Sequence, residues 1–283
     1  MKCYLCNSKE YYFRNGECRD NKKIKICECS NCGLVFLESF KHIDSFFYNE
    51  NGQVISNKKN NIVNTASLID TERRYEQFYL KLANKNVLDF GCGKGLFLSK
   101  LKEKGISSKL NSLEINKSYE SFLSNEFNHF NSIDEIKDDS IDVITLFHVL
   151  EHLEDPIKTL NQLYPKLKSG GRIIIEVPSS EDVLLKTYKS SAFSKFTYWS
   201  CHLYLFNTYT LKRAIEKTLY EIDYVKQYQR YSLANHLHWL SFDKPAGHVI
   251  FSFLDDNQLN SLYSKKLSEI GQCDTVISEI IKK

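Results

Sequence analysis

The sequence predicts an α/β fold of the Rossmann-like kind, with a mainly parallel sheet covered by helices on both faces and a small cysteine-rich module in front of it. Three observations carry that expectation. Strands and helices alternate from Asn86 onward, a glycine-rich turn joins the first of those strands to its helix, and two Cys-x2-Cys pairs stand within the first 32 residues. A chain of 283 residues, 42% hydrophobic, has room for one full α/β domain and a small companion.

The cysteines come first in the chain. There are nine, six of them before residue 33. An odd number, with no apolar leader in Met1-Lys2-Cys3-Tyr4-Leu5-Cys6, argues against a disulfide framework and for a cytoplasmic protein. Cys3, Cys6, Cys29 and Cys32 form two pairs separated by 22 residues, a spacing that can deliver four thiolates to one structural Zn(II). Cys18 and Cys27 are spare, and Cys27 in place of Cys29 would give an x4 spacing. Residues 1–32 hold seven Lys/Arg and four Asp/Glu, and a tetrathiolate zinc leaves this module near +1. That is too little for a phosphate-tracking surface, so nucleic acid is not an expected partner. No run approaches the ~20 apolar residues of a membrane span.

Residues 1–38 thus form the zinc module, and residues 39–83 a linker and helical lead-in. The linker contains Phe46-Phe47-Tyr48 and an Asn-rich stretch from Asn57 to Asn64. Tyr75, Phe78, Tyr79 and Leu82 recur at helical spacing, which predicts a helix over 71–83 with Arg73 and Arg74 on a solvated face or against a phosphate. Residues 84–231 carry the alternation: strands at 86–90, 109–115, 142–147 and 172–177, helices at 96–104, 118–126 and 155–167. A helix over 209–218 and a strand over 222–228 complete the sheet. Residues 232–283 read as a helical, substrate-side segment. Leu262, Leu267, Ile270, Val276, Ile277 and Ile280 recur at roughly helical spacing, as for a tail packed on the domain or on a second subunit.

The glycine turn, Asp89-Phe90-Gly91-Cys92-Gly93-Lys94-Gly95, follows a strand and opens a helix. Glycines there let the backbone turn sharply and a ligand approach closely. Glu114 ends the next strand, placed to accept hydrogen bonds from both hydroxyls of a ribose. An acid directly before the loop is ill suited to a pyrophosphate but suits the cationic methionine end of S-adenosylmethionine. Gly93-Lys94-Gly95-Leu96 also lacks the Lys-Ser/Thr ending of a phosphate-binding loop.

With these blocks, and with Asp142–Leu153 and Leu167–Ile173, the chain from Asn86 to about Tyr228 resembles a class I S-adenosylmethionine-dependent methyltransferase. The resemblance implies that Asp89, Gly91 and Gly93 meet the methionine end, and that Glu114, followed by Ile115, holds the ribose. It places Asn131, Ser132 or Ile133 beside the adenine, with Phe147 and His148 closing over the cofactor. The zinc module, Asp70–Tyr75, Trp199–Phe206 and Asn235–Leu240 resemble a bacterial group that methylates deoxysugars or serves surface-polysaccharide synthesis. Its deoxysugar C-methyltransferases are longer and carry a further C-terminal domain. The expected acceptor is therefore a small molecule, a carbohydrate hydroxyl first. An RNA base, and carbon or nitrogen on another metabolite, are the alternatives.

For a hydroxyl acceptor a base must take the proton. His202 is the first candidate, with an imidazole pKa near ~6.5 when unperturbed. Glu151 and His152 follow the 142–147 strand at the carboxyl edge, where open α/β sheets bind ligands. His236, His238 and His248, with Trp239, read either as part of a sugar-binding wall or as buried structural residues.

Overall fold

The computed structural model describes residues 1–43, 47, 65–107 and 109–283, apart from the side chains of Thr65, Ala66 and His248. The aromatic and Asn-rich linker readings lie outside these residues, except for Phe47.

Two sheets organise the chain. The first is small and antiparallel, in the order β1 (Tyr11–Phe13), β2 (Ile26–Cys29), β3 (Val35–Leu37), β9 (Tyr204–Leu205). Its last strand belongs to the larger domain, so the N-terminal module is stitched to that domain by backbone pairing, Val35 to Leu205 and Phe36 to Tyr204.

The second sheet has seven strands. Its parallel part runs β8 (Leu167–Pro178), β7 (Ile141–Phe147), β4 (Asn86–Phe90), β5 (Lys109–Leu113), β6 (Asn128–Phe130). Strand β11 (Thr275–Ile281) then pairs antiparallel with β8, and β10 (Glu221–Tyr228) pairs antiparallel with β11. The order in which the chain adds strands reverses between β4 and β7, which opens the crevice where doubly wound folds bind ligands.

Helices cover both faces. On one, α1 (Thr65–Leu82), α2 (Leu96–Glu103) and α3 (Glu120–Glu126) bury Phe78, Leu82, Phe97, Leu98 and Leu123 against Val87, Val143 and Ile174. On the other, α4 (Pro156–Leu163) and α7 (Thr208–Ile215) bury Leu160, Leu163, Leu211 and Ile215 against Leu88, Ile144 and Leu146. That core runs on into the cysteine module through Leu5, Leu34 and Phe36. Short helices α5 (Val183–Lys186) and α6 (Ser191–Ser194) lead to β9, while α8 (Leu233–Phe242), α9 (Gly247–Ile250) and α10 (Asn257–Glu269) precede β11.

The tail differs from its helical expectation. Residues 257–269 are helical, but 275–281 form a strand inside the sheet, buried at six of its seven positions. A strand covered on both faces shows a continuous apolar run rather than alternation, and Val276, Ile277 and Ile280 also fit a helical spacing. The seven-stranded sheet therefore takes a strand from the segment beyond residue 231. The 155–167 helix is also shorter than expected: it stops at Leu163, and β8 begins at Leu167.

Candidate active site

The turn after β4 supplies the floor of the site. Gly91, Gly93 and Gly95 hold φ of 71°, 54° and 68°, a region costly for other residues. A Cβ on Gly91 would lie 2.7 Å from Val149, whereas one on Gly93 would meet nothing within 4 Å. The backbone at Gly93 thus faces open space. Glu114 is pinned beside it. One carboxylate oxygen accepts from the Gly93 N–H at 2.8 Å and the other from the Asn116 N–H at 2.8 Å. Each oxygen keeps a further lone pair for a ligand. Asp89 is buried and accepts from the Thr145 hydroxyl at 2.6 Å, and burial pushes its carboxyl up to about 6.

Gly91, Gly93 and Glu114 line a cavity of about 180 Å³ at the carboxyl edge of β4, β5 and β7, together with Ile115, Asn116, Tyr119, His148, Val149 and His152. Asp89, buried before the turn, is not part of this lining. Ser132 and Ile133 follow β6 on the same edge but are not part of this lining. Phe147 is not brought to the cavity either. It ends strand β7, and its ring packs against Phe78 and Phe97 in the core under α1 and α2.

His148 and Glu151 start a network that crosses the site. Glu151 is fully buried, and its Oε1 lies 3.2 Å from His148 Nδ1 and 3.8 Å from His152 Nε2. Burial opposes its ionisation, but the hydrogen bond from His148 and the nearby His152 and His202 hold its carboxyl down at about 2. His148 Nε2 lies 3.2 Å from Glu176 and 3.0 Å from Arg230. Burial and Arg230 work against protonating this imidazole, and the two carboxylates outweigh them, so its pKa is raised. Glu176, fully buried on β8, receives Arg73 at 2.8 Å and Arg74 at 2.6 Å. The two arginines therefore sit on neither a solvated face nor a free phosphate site. Arg230 also bonds Asp70 and Asp274. The sequence signal for this network was a single glutamate inside the apolar run Ile173-Ile174-Ile175-Glu176-Val177, since a charge there needs a buried partner.

His202 lies across from His152, their rings 4.9 Å apart and nearly perpendicular. Burial, then His152, pushes its imidazole down to about 3, so the ring is neutral at pH 7 and its Nδ1 is buried with no hydrogen-bond partner. His236 and His238 are buried beside Trp239 and spend one nitrogen each on Tyr263 Oη at 2.8 Å and the Lys244 carbonyl at 2.7 Å. They are structural rather than part of an open sugar-binding wall. The side chain of His248 lies outside the described residues.

In the N-terminal module Cys3, Cys6, Cys29 and Cys32 converge, each sulfur within 4.8 Å of the others. Cys3 and Cys32 are 3.5 Å apart, and Cys6 and Cys29 3.4 Å. Thiolates ~2.3 Å from a tetrahedral zinc stand nearly that far from one another, so the set fits the metal. Cys18 and Cys27 are buried outside this group, so neither replaces one of the four. No described helix is long and apolar enough to cross a membrane.

Comparison with known proteins agrees with the site. A family model for a methyltransferase domain matches residues 68–262. A mitochondrial ubiquinone biosynthesis O-methyltransferase of Candida albicans is 29% identical over 118 residues, covering 38% of this chain and 36% of its own length. A tRNA U34 carboxymethyltransferase of Helicobacter acinonychis is 31% identical over 134 residues, 42% of this chain and 51% of its own. The chain thus spans between a third and about half of the length of these relatives. Among solved structures, an S-adenosylmethionine-dependent methyltransferase from Archaeoglobus fulgidus shares the fold at TM-score 0.53 and 21% identity, over 77% of this chain and 94% of that one. One from Thermotoga maritima, described as a possible histamine N-methyltransferase, does so at TM-score 0.52 and 18% identity, over 87% and 100%. With the glycine turn, Glu114 and the sheet order in place, the chain shares the fold of S-adenosylmethionine-dependent methyltransferases and belongs to the methyltransferase-domain family.

Proposed function

We propose that this enzyme methylates a small acceptor, a sugar or sugar-nucleotide hydroxyl first among them, and that its N-terminal module carries one structural Zn(II). The observation that carries the reading is the placement of Glu114 and the open backbone of Gly93 in one cavity with His148 and His152. S-adenosylmethionine, when bound, supplies a methyl group on a sulfonium for in-line displacement. Glu114 would take the ribose hydroxyls, and the Gly91–Gly93 backbone with Asp89 behind it the methionine end. Ile115, half-exposed at the lip, would border the adenosine, with Ser132 and Ile133 further along the same edge. Beside His152, Glu151 would receive the acceptor's proton, with His152 and His202 positioning it.

The carbohydrate reading rests on the zinc module and on Trp199–Phe206. Two experiments test it in turn. Calorimetric titration with S-adenosylhomocysteine should show binding, and folded protein that gives no heat would sink the cofactor assignment. Incubation of nucleotide sugars with enzyme and methyl-labelled cofactor should add one methyl mass to a sugar. Label entering RNA instead, with steeply salt-dependent binding, would favour the chemistry of the tRNA-modifying relative.

A further inference from the structure

A second cluster of metal-ligating side chains lies apart from the four ribbon cysteines. One ligand atom from each of His152, Cys201 and His202 lies within 4.8 Å of the other two. His152 comes from the turn after β7, and Cys201 and His202 from the loop before β9. The Leu203 N–H to Glu151 carbonyl hydrogen bond at 2.8 Å holds these segments together. The cysteine module clamps the loop from outside. Asp20 accepts from the Ser200 N–H and hydroxyl, the Arg19 N–H bonds the Tyr198 carbonyl, and the Arg19 guanidinium lies over the Trp199 ring.

Among the described residues, two buried polar atoms of these neighbouring side chains have no hydrogen-bond partner: His202 Nδ1 and Glu151 Oε2. Buried polar atoms are nearly always satisfied, and an atom left bare beside a thiol and a second imidazole points to a ligand that the protein itself does not supply. A thiolate with two imidazoles is a borderline-soft set. It suits zinc, cobalt or nickel and disfavours magnesium or calcium.

We infer that His152, Cys201 and His202 hold a first-row divalent cation of the zinc class beside the cofactor cavity, with Glu151 Oε2 as the adjacent carboxylate. Cys201 binds as the thiolate, so its thiol proton is released to solvent on loading. Three protein ligands leave a position that Glu151 or an acceptor oxygen fills, and His152 also lines the cofactor cavity. The cation's existence does not rest on the sugar assignment. Its role in activating an acceptor does rest on the methyl-transfer reading above.

The test is a metal count on the full chain. Protein equilibrated with excess Zn(II), desalted and weighed by native mass spectrometry should carry two zinc ions per chain, and the Cys201→Ser and His202→Gln variants one each. One zinc in the wild type, or two in both variants, overturns the site. Titration of metal-stripped wild type with Co(II) needs no variant. The ribbon should give the visible bands of a four-thiolate site, and a second equivalent should add bands typical of one thiolate with nitrogen ligands. A second equivalent that adds no absorbance also overturns it. S-adenosylhomocysteine binding, followed in parallel, separates the two ideas. A single metal with cofactor binding intact removes this site and leaves methyl transfer standing.

Discussion

Across the carboxyl edge of the sheet, the proposed cofactor wall and the proposed acceptor wall are built from different materials. The cofactor wall is mostly backbone: Gly91 and Gly93 at positive φ, with Glu114 fixed by two N–H donors, all within 28 residues from Asp89 to Asn116. The acceptor wall is side chains brought from distant parts of the chain. Behind His148, Glu176 is buried with Arg73 and Arg74 of α1, Arg230 lies against His148, and Glu151 lies between His148 and His152, which faces His202. A backbone wall is held by secondary structure and tolerates change in its neighbours. A wall of buried charges fails when one partner is removed, because the others are left uncompensated.

Removing the metal proposed for the N-terminal module probes that contrast most strongly. A structural tetrathiolate zinc carries binding free energy on the order of 10 kcal/mol, and loop 196–203 leans on the ribbon through Asp20 and Arg19. In the Cys201→Ser variant, which keeps only the module's metal, chelation should open residues 1–43 and loop 196–203 to protease and hydrogen exchange, while S-adenosylhomocysteine still binds. Equal protection of that loop with and without chelator would break the comparison. Next in size, Glu176→Ala strands two arginines beside His148 and should cost ~3–5 kcal/mol in urea denaturation. A loss under ~1 kcal/mol, the range of an exposed pair, would contradict the burial argument.

Glu114→Ala acts on the other wall. It should weaken S-adenosylhomocysteine by ~100-fold or more, the loss of two charge-assisted hydrogen bonds, with little change in melting temperature. An unchanged Kd would remove Glu114 as the ribose holder.

The smallest effect concerns pH. Burial, then Asp274, pushes the Asp182 carboxyl up to about 7 from its ordinary 3.8. Between those values the folded chain holds a proton that the unfolded chain has lost, so this contribution to stability is present at low pH and disappears as pH rises through 7. Asp182→Asn keeps the cap on the Leu184 N–H. It should match wild type near pH 4 and be more stable by ~1–2 kcal/mol at pH 8, a fraction of the full linkage value. Parallel stability curves for the two proteins would refute the raised pKa.

The cofactor wall was legible in the sequence because its geometry is local. Glycine spacing, the acid before the loop and the acid ending the next strand are all set by one strand–turn–helix–strand passage, and the two Cys-x2-Cys pairs were readable for the same reason. Three things waited for the tertiary structure. Phe147 and His148, adjacent in sequence, separate into core and cavity because Phe147 ends strand β7 while His148 turns the chain out of it with a left-handed φ of 56°. Strand β11 enters between β8 and β10 because pairing satisfies its backbone groups there, a non-local gain that apolar spacing alone does not signal. The charges of the acceptor wall met over separations of more than 100 residues, since the cost of burying Glu176 is offset only by cations that the fold carries to it.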